Sequence, residues 1–396
     1  MTETMSRISG RCAIVGIGES ERSLNSGKTP LKMALQAARA ALADAGLKPS
    51  DIDGFLSYHD NDSCGSHWLA TYLGARPTYY NDVSGGGGST EALVADAISL
   101  IDAGIIKTCL VFRSMNGRSG NRMGGGKARD NVSSRVYSTA GASYLVPYGI
   151  NTPAERYSLL ATRHMHETGL KVEHLGALAI TARENAQRNP NARFFGQPPL
   201  TMERYLEASY LCYPFRKYDY CIETDEANVL IITSSERARY FHRKPIYIMG
   251  VAGRNSTTHA HVYSLDNNLD VGGFYAGPQV FEMAGVKPND INVAAVYDCF
   301  TWVALYQLEV YGFVERGGAG QFVASGEMKI GGKLPVNTAG GMLAEGYTHG
   351  MNNVIELVRQ LRHSYEGTGR QVVGCRVGMS MGWGGPMSAG AMILQN

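Results

Sequence analysis

The residues best suited to chemistry lie in NTAGGMLAEGYTHGMNNVIELV, residues 337–358. Glycines bracket Tyr347 and His349, and a helical pattern follows at once. Glycine lets a backbone close around a ligand without a Cβ in the way, so a substrate could be enclosed here; a surface tyrosine is the competing reading. Read alone, His349 looks like a catalytic histidine displaced by two places, with Tyr347 in its stead. A phenol titrates near pKa ~10 and moves protons near neutrality only when burial or hydrogen bonds poise it. A second phenol, Tyr297, stands beside Asp298 in NVAAVYDCF, residues 292–300. That segment is an apolar strand whose carboxyl end carries the polar groups, the place where open α/β sheets hold ligands. A buried tyrosine with a satisfied hydroxyl is the competing reading of the same segment.

Two more glycine clusters could supply backbone donors. In SGGGGSTEAL, from Ser84, four glycines enter a helix whose N-terminal dipole is positive, with Gly85 at the tip. No nucleophile sits there. No Lys-Ser/Thr pair of a phosphate loop follows, and no acidic partner completes a dinucleotide fingerprint. A flexible turn is the alternative. In MGWGGPM, residues 381–387, Gly384 and Gly385 either offer N–H groups to a ligand or form a tight hairpin ahead of Pro386.

The elements that must position these groups alternate strand and helix. RCAIVGIGES reads as a buried strand, and PLKMALQAARAALADAGL as a helix ended by Gly46. IDGFLSY, KTCLVFRSM and ANVLIITS follow as strands, with the helix STEALVADAISLIDAG between the first two. Residues 115–215 change to polar, glycine-rich loops around the helices NTPAERYSLLATRHMHET and HLGALAITARENAQRN, an excursion before the sheet resumes. The second half repeats the rhythm: PIYIMGVAG, a helix starting at PQVFEMAG, NVAAVYDCF, the helices TWVALYQLEVYG and NNVIELVRQLRHS, then the strands RQVVGCRVGMS and SAGAMILQ. Such alternation implies a mostly parallel α/β sheet covered by helices. Two halves of comparable rhythm suggest an internal duplication.

Composition excludes several classes. Charged residues make up 18% with a net charge of +2, so there is no basic face for nucleic acid. No uninterrupted apolar run is long enough to span a bilayer, and MTETMSRISGRCAIVGIG has no leader pattern, so a cytoplasmic protein without a membrane segment is expected. The seven cysteines are scattered and form no CxxC pair, which argues against a disulfide framework and against a zinc site built by this chain.

The four glycine and tyrosine segments, in this order and spacing, resemble the thiolase superfamily in its branch of sterol carrier protein X thiolases and lipid-transfer proteins. That branch shows a Cys-Ala-x-Gly-Ser helix start, a His-Asp-Cys-Phe segment, an Asn-x-x-Gly-Gly…Gly-His-Pro segment and a terminal glycine loop. Here they read GGGGSTEAL, YDCF, NTAGGMLAEGYTHG and MGWGGPM, across nearly the whole chain. The resemblance implies the thiolase fold: two duplicated βαβαβαββ halves in a five-layered αβαβα core. The halves would span residues 1–240 and 241–396, with the loop domain inserted at about 115–215.

The departures fall on catalytic positions. The nucleophilic Cys aligns with Gly85, the two histidines with Tyr297 and Tyr347, and the second catalytic Cys near Met381. A Claisen thiolase needs a thiolate with a base beside it, so a working thiolase is not expected. The double His-to-Tyr change looks like the steroid side-chain-cleaving aldolases of the superfamily. By that resemblance the substrate is a β-hydroxyacyl-CoA, cut by a retro-aldol step to propionyl-CoA and a ring ketone. Tyr347 would be the base for the hydroxyl and Tyr297 the acid for the enolate, with the reverse assignment open. Backbone N–H groups around Gly85, Gly384 and Gly385 would hold the enolate oxygen, and Asp298 and His349 would support the tyrosines. No cofactor is implied in this chain beyond the coenzyme A thioester. The implied partners are a second copy through the thiolase core and a small zinc-containing OB-fold acyl-CoA-binding protein, together a heterotetramer, with the zinc on that partner. Two other readings compete: a divergent thiolase using Cys64 or Cys299, and a non-enzymatic acyl-CoA or lipid carrier.

Overall fold

The computed structural model describes residues 8–59, 62–120, 145–256, 269–384 and 388–396. One nine-stranded sheet runs in the order β3-β2-β4-β7-β1-β8-β11-β10-β9. Its strands are β1 (Cys12–Glu19), β2 (Gly54–His59), β3 (Tyr79–Ser84), β4 (Thr108–Asn116), β7 (Asp225–Ser234), β8 (Ile246–Ser256), β9 (Val293–Val296), β10 (Val377–Trp383) and β11 (Ser388–Gln395). A separate hairpin joins β5 (Tyr210–Cys212) and β6 (Phe215–Arg216).

The sheet is two half-sheets that meet only where β1 pairs β8, Ala13 with Tyr247 and Ile14 with Ile246. In the N-terminal half β2 is parallel to β3 and β4, and β7 is antiparallel to β4 and β1. In the C-terminal half β9 is parallel to β10, and β11 is antiparallel to β10 and β8. These are the same relations in mirror order about the β1–β8 seam. The counterpart of β3 has shrunk to one parallel bridge, Ala294 with Val336. The expected duplication is therefore present in the topology.

The helices that matter to the site are α1 (Pro30–Ala45), α2 (Ser66–Leu73), α3 (Ser89–Asp102), α4 (Pro153–Thr168), α5 (Val172–Gln187), α6 (Gly273–Ala284), α7 (Thr301–Val310), α8 (Gly341–Ala344) and α9 (Met351–Leu361). Helix α1 starts where Thr29 accepts the Lys32 N–H and Pro30 fills the first turn, and it ends at left-handed Gly46. Its alanine face seats so closely on β1 that a Cβ at Gly18 would lie 2.1 Å from the Ala37 carbonyl oxygen.

Three apolar clusters fill four interfaces between layers. Ala13, Val15 and Phe55 face α1 and α2, whereas Cys12, Ile14 and Leu56 face the opposite way, against α3 and α9. The strands are thus apolar on both sides, as sheets covered by helices on both faces must be. Val293 and Ala295 of β9 close the other side of the central helices, while Ala294 and Val296 face the outer cluster of α6, α7 and α5. The order helix, half-sheet, helix, half-sheet, helix is the five-layered core.

The excursion between β4 and β7 carries α4 and α5, which pack onto the C-terminal half; part of its expected span, residues 121–144, lies outside the described residues. Three sequence readings need correction. Helix α6 begins at Gly273, not at Pro278, which sits inside it. A Cβ at Gly273 would lie 2.6 Å from Val310 Cγ1, so close packing on α7 carries the helix across a proline that forfeits one hydrogen bond. The expected strand from Arg370 begins only at Val377. The polar edge strand β3 and the short helix α2 had no periodicity to announce them. No described helix is long and apolar enough to cross a membrane.

Candidate active site

Tyr297 follows directly on β9. Its N–H donates to the Met381 carbonyl at 3.0 Å, and its own carbonyl accepts from Gln307 Nε2 at 2.8 Å. Tyr347 lies in the loop between α8 and α9, where its N–H donates to Thr224 Oγ1 at 2.8 Å. The next residue, Thr348, accepts from Asn228 Nδ2 at 2.6 Å. Tyr58 reaches the Thr348 and His349 carbonyls at 3.2 and 3.3 Å. The loop of the C-terminal half is thus pinned by side chains of the N-terminal half.

These anchors bring the two expected phenols together: Tyr297 Oη and Tyr347 Oη lie 3.1 Å apart. Both side chains are buried. Burial pushes both hydroxyls well above the ordinary tyrosine range. The Arg113 guanidinium acts against that burial at Tyr347.

The glycine elbow meets the pair at Gly87, two residues beyond the expected Gly85. A Cβ at residue 87 would lie 2.0 Å from Tyr297 Cε2 and 2.1 Å from Cζ. The tyrosine ring fills the space into which a side chain at residue 87 would project, whereas one at Gly86 would meet nothing within 4 Å. Gly86 and Gly87 line the cavity and Gly85 does not. Gly384 also lines it, but its N–H donates to the Ser388 carbonyl at 2.8 Å. The hairpin reading of that glycine therefore holds, and its N–H is not offered to a ligand. Gly385 lies outside the described residues.

Asp298 points away from the cavity. Its carboxylate accepts the Met342 N–H at 3.0 Å, the Leu343 N–H at 3.4 Å and Asn353 Nδ2 at 3.2 Å, and so holds the start of α8. Burial raises it to about 6 against those hydrogen bonds.

His349 does face the cavity, with its ring edge-on to Tyr347 at 5.1 Å between centroids. Its Nδ1 accepts from Arg113 Nε at 3.2 Å and lies 3.0 Å from Nη2. Arg113 is fully buried within β4 and pairs with Asp62 at 2.6 Å. Sequence reasoning missed both Arg113 and Asp62. The available signal was a lone arginine inside the apolar run TCLVFRSM, a residue type almost never fully buried unless paired.

The cavity in front of the tyrosines encloses about 850 Å³, within the range of small-molecule sites. Its walls are largely apolar, with Tyr157, Phe300, Leu343 and Trp383 among them, and Arg118, Arg193, Arg204 and Lys217 add cationic side chains to the lining. Cys299 and Cys221 also line it, and burial pushes both thiols far up. Cys64 is not part of the lining, and burial raises it to about 12. Among the described residues no group of His, Cys, Asp and Glu is arranged to hold a metal ion.

The chain resembles proteins of known family and structure. Residues 255–396 match the family model of the thiolase C-terminal domain-like proteins. A steroid side-chain-cleaving aldolase of Thermomonospora curvata is 38% identical over 362 residues, covering 90% of this chain and 92% of the relative. A 17-hydroxy-3-oxo-4-pregnene-20-carboxyl-CoA lyase of Mycobacterium tuberculosis is 37% identical with the same coverage. The solved structure of an Ltp2-ChsH2(DUF35) aldolase superposes with a TM-score of 0.88 at 34% identity, over 98% of both chains.

Proposed function

The chain belongs to the thiolase superfamily, among its steroid side-chain-cleaving aldolases, and we propose that it cleaves a β-hydroxyacyl-CoA steroid side chain by a retro-aldol step. The substrate is of the 17-hydroxy-3-oxo-4-pregnene-20-carboxyl-CoA type, and the products are propionyl-CoA and a 17-ketosteroid. The observation that carries this reading is the 3.1 Å contact between two buried phenols at a cavity wall, beside an elbow that carries no nucleophilic side chain.

The bond that breaks joins the hydroxyl-bearing ring carbon to the α-carbon of the thioester. The ring carbon becomes a ketone as its hydroxyl loses a proton, and the bonding pair passes to the α-carbon as a thioester enolate. Tyr347 Oη takes the hydroxyl proton while its own proton crosses to Tyr297 Oη, and the Tyr297 proton goes to the α-carbon. One proton leaves oxygen, one arrives at carbon, and both phenols end neutral as they began. Because burial holds both in the neutral form, a relay that needs no resting phenolate suits them. We assign Tyr347 to the hydroxyl side, an assignment supported by the Arg113 guanidinium, which favours its ionised form. Positioned acid–base groups of this kind contribute about 10²–10⁴ in rate.

The rest of the site suits the same substrate. Apolar walls accept a steroid ring system, and Arg118, Arg193, Arg204 and Lys217 offer charge to the phosphates of coenzyme A. Edge strand β3 and the neighbouring α2 expose Trp68, Tyr72 and Tyr80, an apolar sheet edge that a second copy of the chain would cover. A small zinc-containing OB-fold acyl-CoA-binding partner, carrying the metal itself, would complete a heterotetramer; the support is that a relative of known structure is an assembly with a DUF35 component.

The deciding experiment incubates the protein, with that partner, with the steroid acyl-CoA and follows propionyl-CoA by mass spectrometry. Product formation is expected. Absence of product with several side-chain variants in the presence of the partner would overturn the reading. A divergent thiolase would instead trap an acyl-enzyme on Cys299 or Cys64.

A further inference from the structure

Cleavage leaves negative charge on the thioester oxygen, and both tyrosines are committed to moving the proton. The Gly384 N–H expected to meet that charge is given to Ser388. We propose, on the aldolase reading above, that His349 is a catalytic residue, a neutral imidazole whose Nε2–H holds the enolate oxygen.

The tautomer follows from its neighbour. Arginine carries only donors and does not lose its proton in proteins. With Arg113 Nε at 3.2 Å and Nη2 at 3.0 Å, Nδ1 must be the acceptor, and the single ring proton resides on Nε2. Asp62 grips the same guanidinium on Nη2 at 2.6 Å, so the clamp is fixed in place. No hydrogen bond from Nε2 to another described residue competes for that proton. The ring lies in the cavity wall, edge-on to Tyr347.

The backbone adds a second mark. His349 sits at φ 50, a left-handed conformation that costs a non-glycine residue of order 1–3 kcal/mol and clusters at functional sites. That turn is what sends the Tyr347 and His349 rings to the same cavity from positions two apart.

Neutrality is enforced from all sides. The groups facing the ring are Arg113 on β4, Asp62 beyond β2, Tyr58 on β2 and Tyr347 on its own loop. Burial and the guanidinium depress the imidazole to about 3, opposed by Asp62. Between pH 5 and 9 the ring is therefore a donor of one fixed kind. A preorganised neutral donor of this sort is worth about 10²–10³ in turnover.

The test compares His349→Ala with His349→Gln, whose amide nitrogen reaches about as far as Nε2. The Ala variant should lose about 10²–10³ in kcat with KM for the acyl-CoA within a few-fold, and the Gln variant should recover at least tenfold of that loss. Histidine NMR of the unsubstituted protein, assigned by the signal absent from the Gln variant, should show a neutral Nε2–H tautomer unchanged from pH 5 to 9. Equal kcat losses in both variants with unchanged thermal midpoints would overturn the proposal. So would undiminished kcat in the Ala variant, or a ring that protonates in that interval. If the Ala variant fails to fold, the Gln variant carries the kinetic arm, its kcat expected within about tenfold of the parent, and a loss of about 10³ or more in a folded Gln variant would overturn the proposal. An unsubstituted protein that releases no propionyl-CoA would sink the aldolase reading instead, a result distinct from any of these.

Discussion

Gly87→Ala is the sharpest probe of how the site is built, because it adds a single methyl group and no charge. That methyl carbon would lie 2.0 Å from Tyr297 Cε2, 2.1 Å from Cζ and 2.6 Å from the Trp383 carbonyl oxygen. Comfortable carbon–carbon contact needs about 3.5 Å, so the Tyr297 ring must retreat by about 1.5 Å. Its backbone cannot easily follow, since the Tyr297 N–H is held by Met381 and its carbonyl by Gln307. The hydroxyl then leaves the 3.1 Å contact with Tyr347, and the relay is cut. A displacement of about 1 Å can cost about 10²-fold in rate, and overpacking a well-filled interior costs about 1–3 kcal/mol in stability. Steady-state release of propionyl-CoA should therefore fall at least 100-fold, while the thermal midpoint drops by only a few degrees, at about 1 °C per kcal/mol for 396 residues. Wild-type turnover in a folded Gly87→Ala protein would refute the claim that the elbow is empty to make room for the tyrosine.

Three other expectations follow from the same geometry. If the phenols act as one relay, Tyr297→Phe, Tyr347→Phe and the double variant should lose similar rate, about 10²–10⁴ each, and additive losses in a double-mutant cycle would contradict the relay. Because the cavity thiols are held protonated by burial, iodoacetamide at neutral pH should leave turnover intact; rapid stoichiometric inactivation would favour the thiolase reading instead. Glu91 of α3 is buried, receives the Ser380 hydroxyl at 2.6 Å on Oε1, has no partner among the described residues on Oε2, and is raised by burial to about 7. A carboxyl raised in the folded state adds stability at low pH and loses it as pH climbs from its unfolded value of about 4.3 to 7, by about 3–4 kcal/mol. Glu91→Gln, which cannot ionise, should therefore gain stability relative to the parent between pH 5 and pH 8 in urea melts, and a pH-independent difference would show that Glu91 is not the titrating group.

What the sequence made legible is limited by where the information sits. The alternation of strands and helices was readable because sheets covered on both faces leave long apolar runs, such as Cys12–Glu19 and Thr108–Asn116. Strand β3 escaped because YYNDVS is half-exposed along most of its length and carries no period. The phenols could be singled out because each ends or follows an element at a position where chemistry is common. Their 3.1 Å meeting depends on anchors such as Thr224 and Asn228, more than 100 residues from the loop they hold. Which glycine of the elbow packs on the pair was hidden for a related reason: in a run of four identical glycines no side chain marks the phase, and only the Tyr297 ring, 210 positions on, singles out Gly87. Arg113 was the costliest omission. Its partners, Asp62 and His349, lie 51 and 236 residues away, so no local spacing reveals that a cation is buried against an imidazole. Yet a buried cation must be paired, and an apolar strand that tolerates one arginine is itself a demand for a distant acceptor. Following that demand is what converts His349 from a residue that looked displaced beside Tyr347 into a fixed donor facing the same substrate.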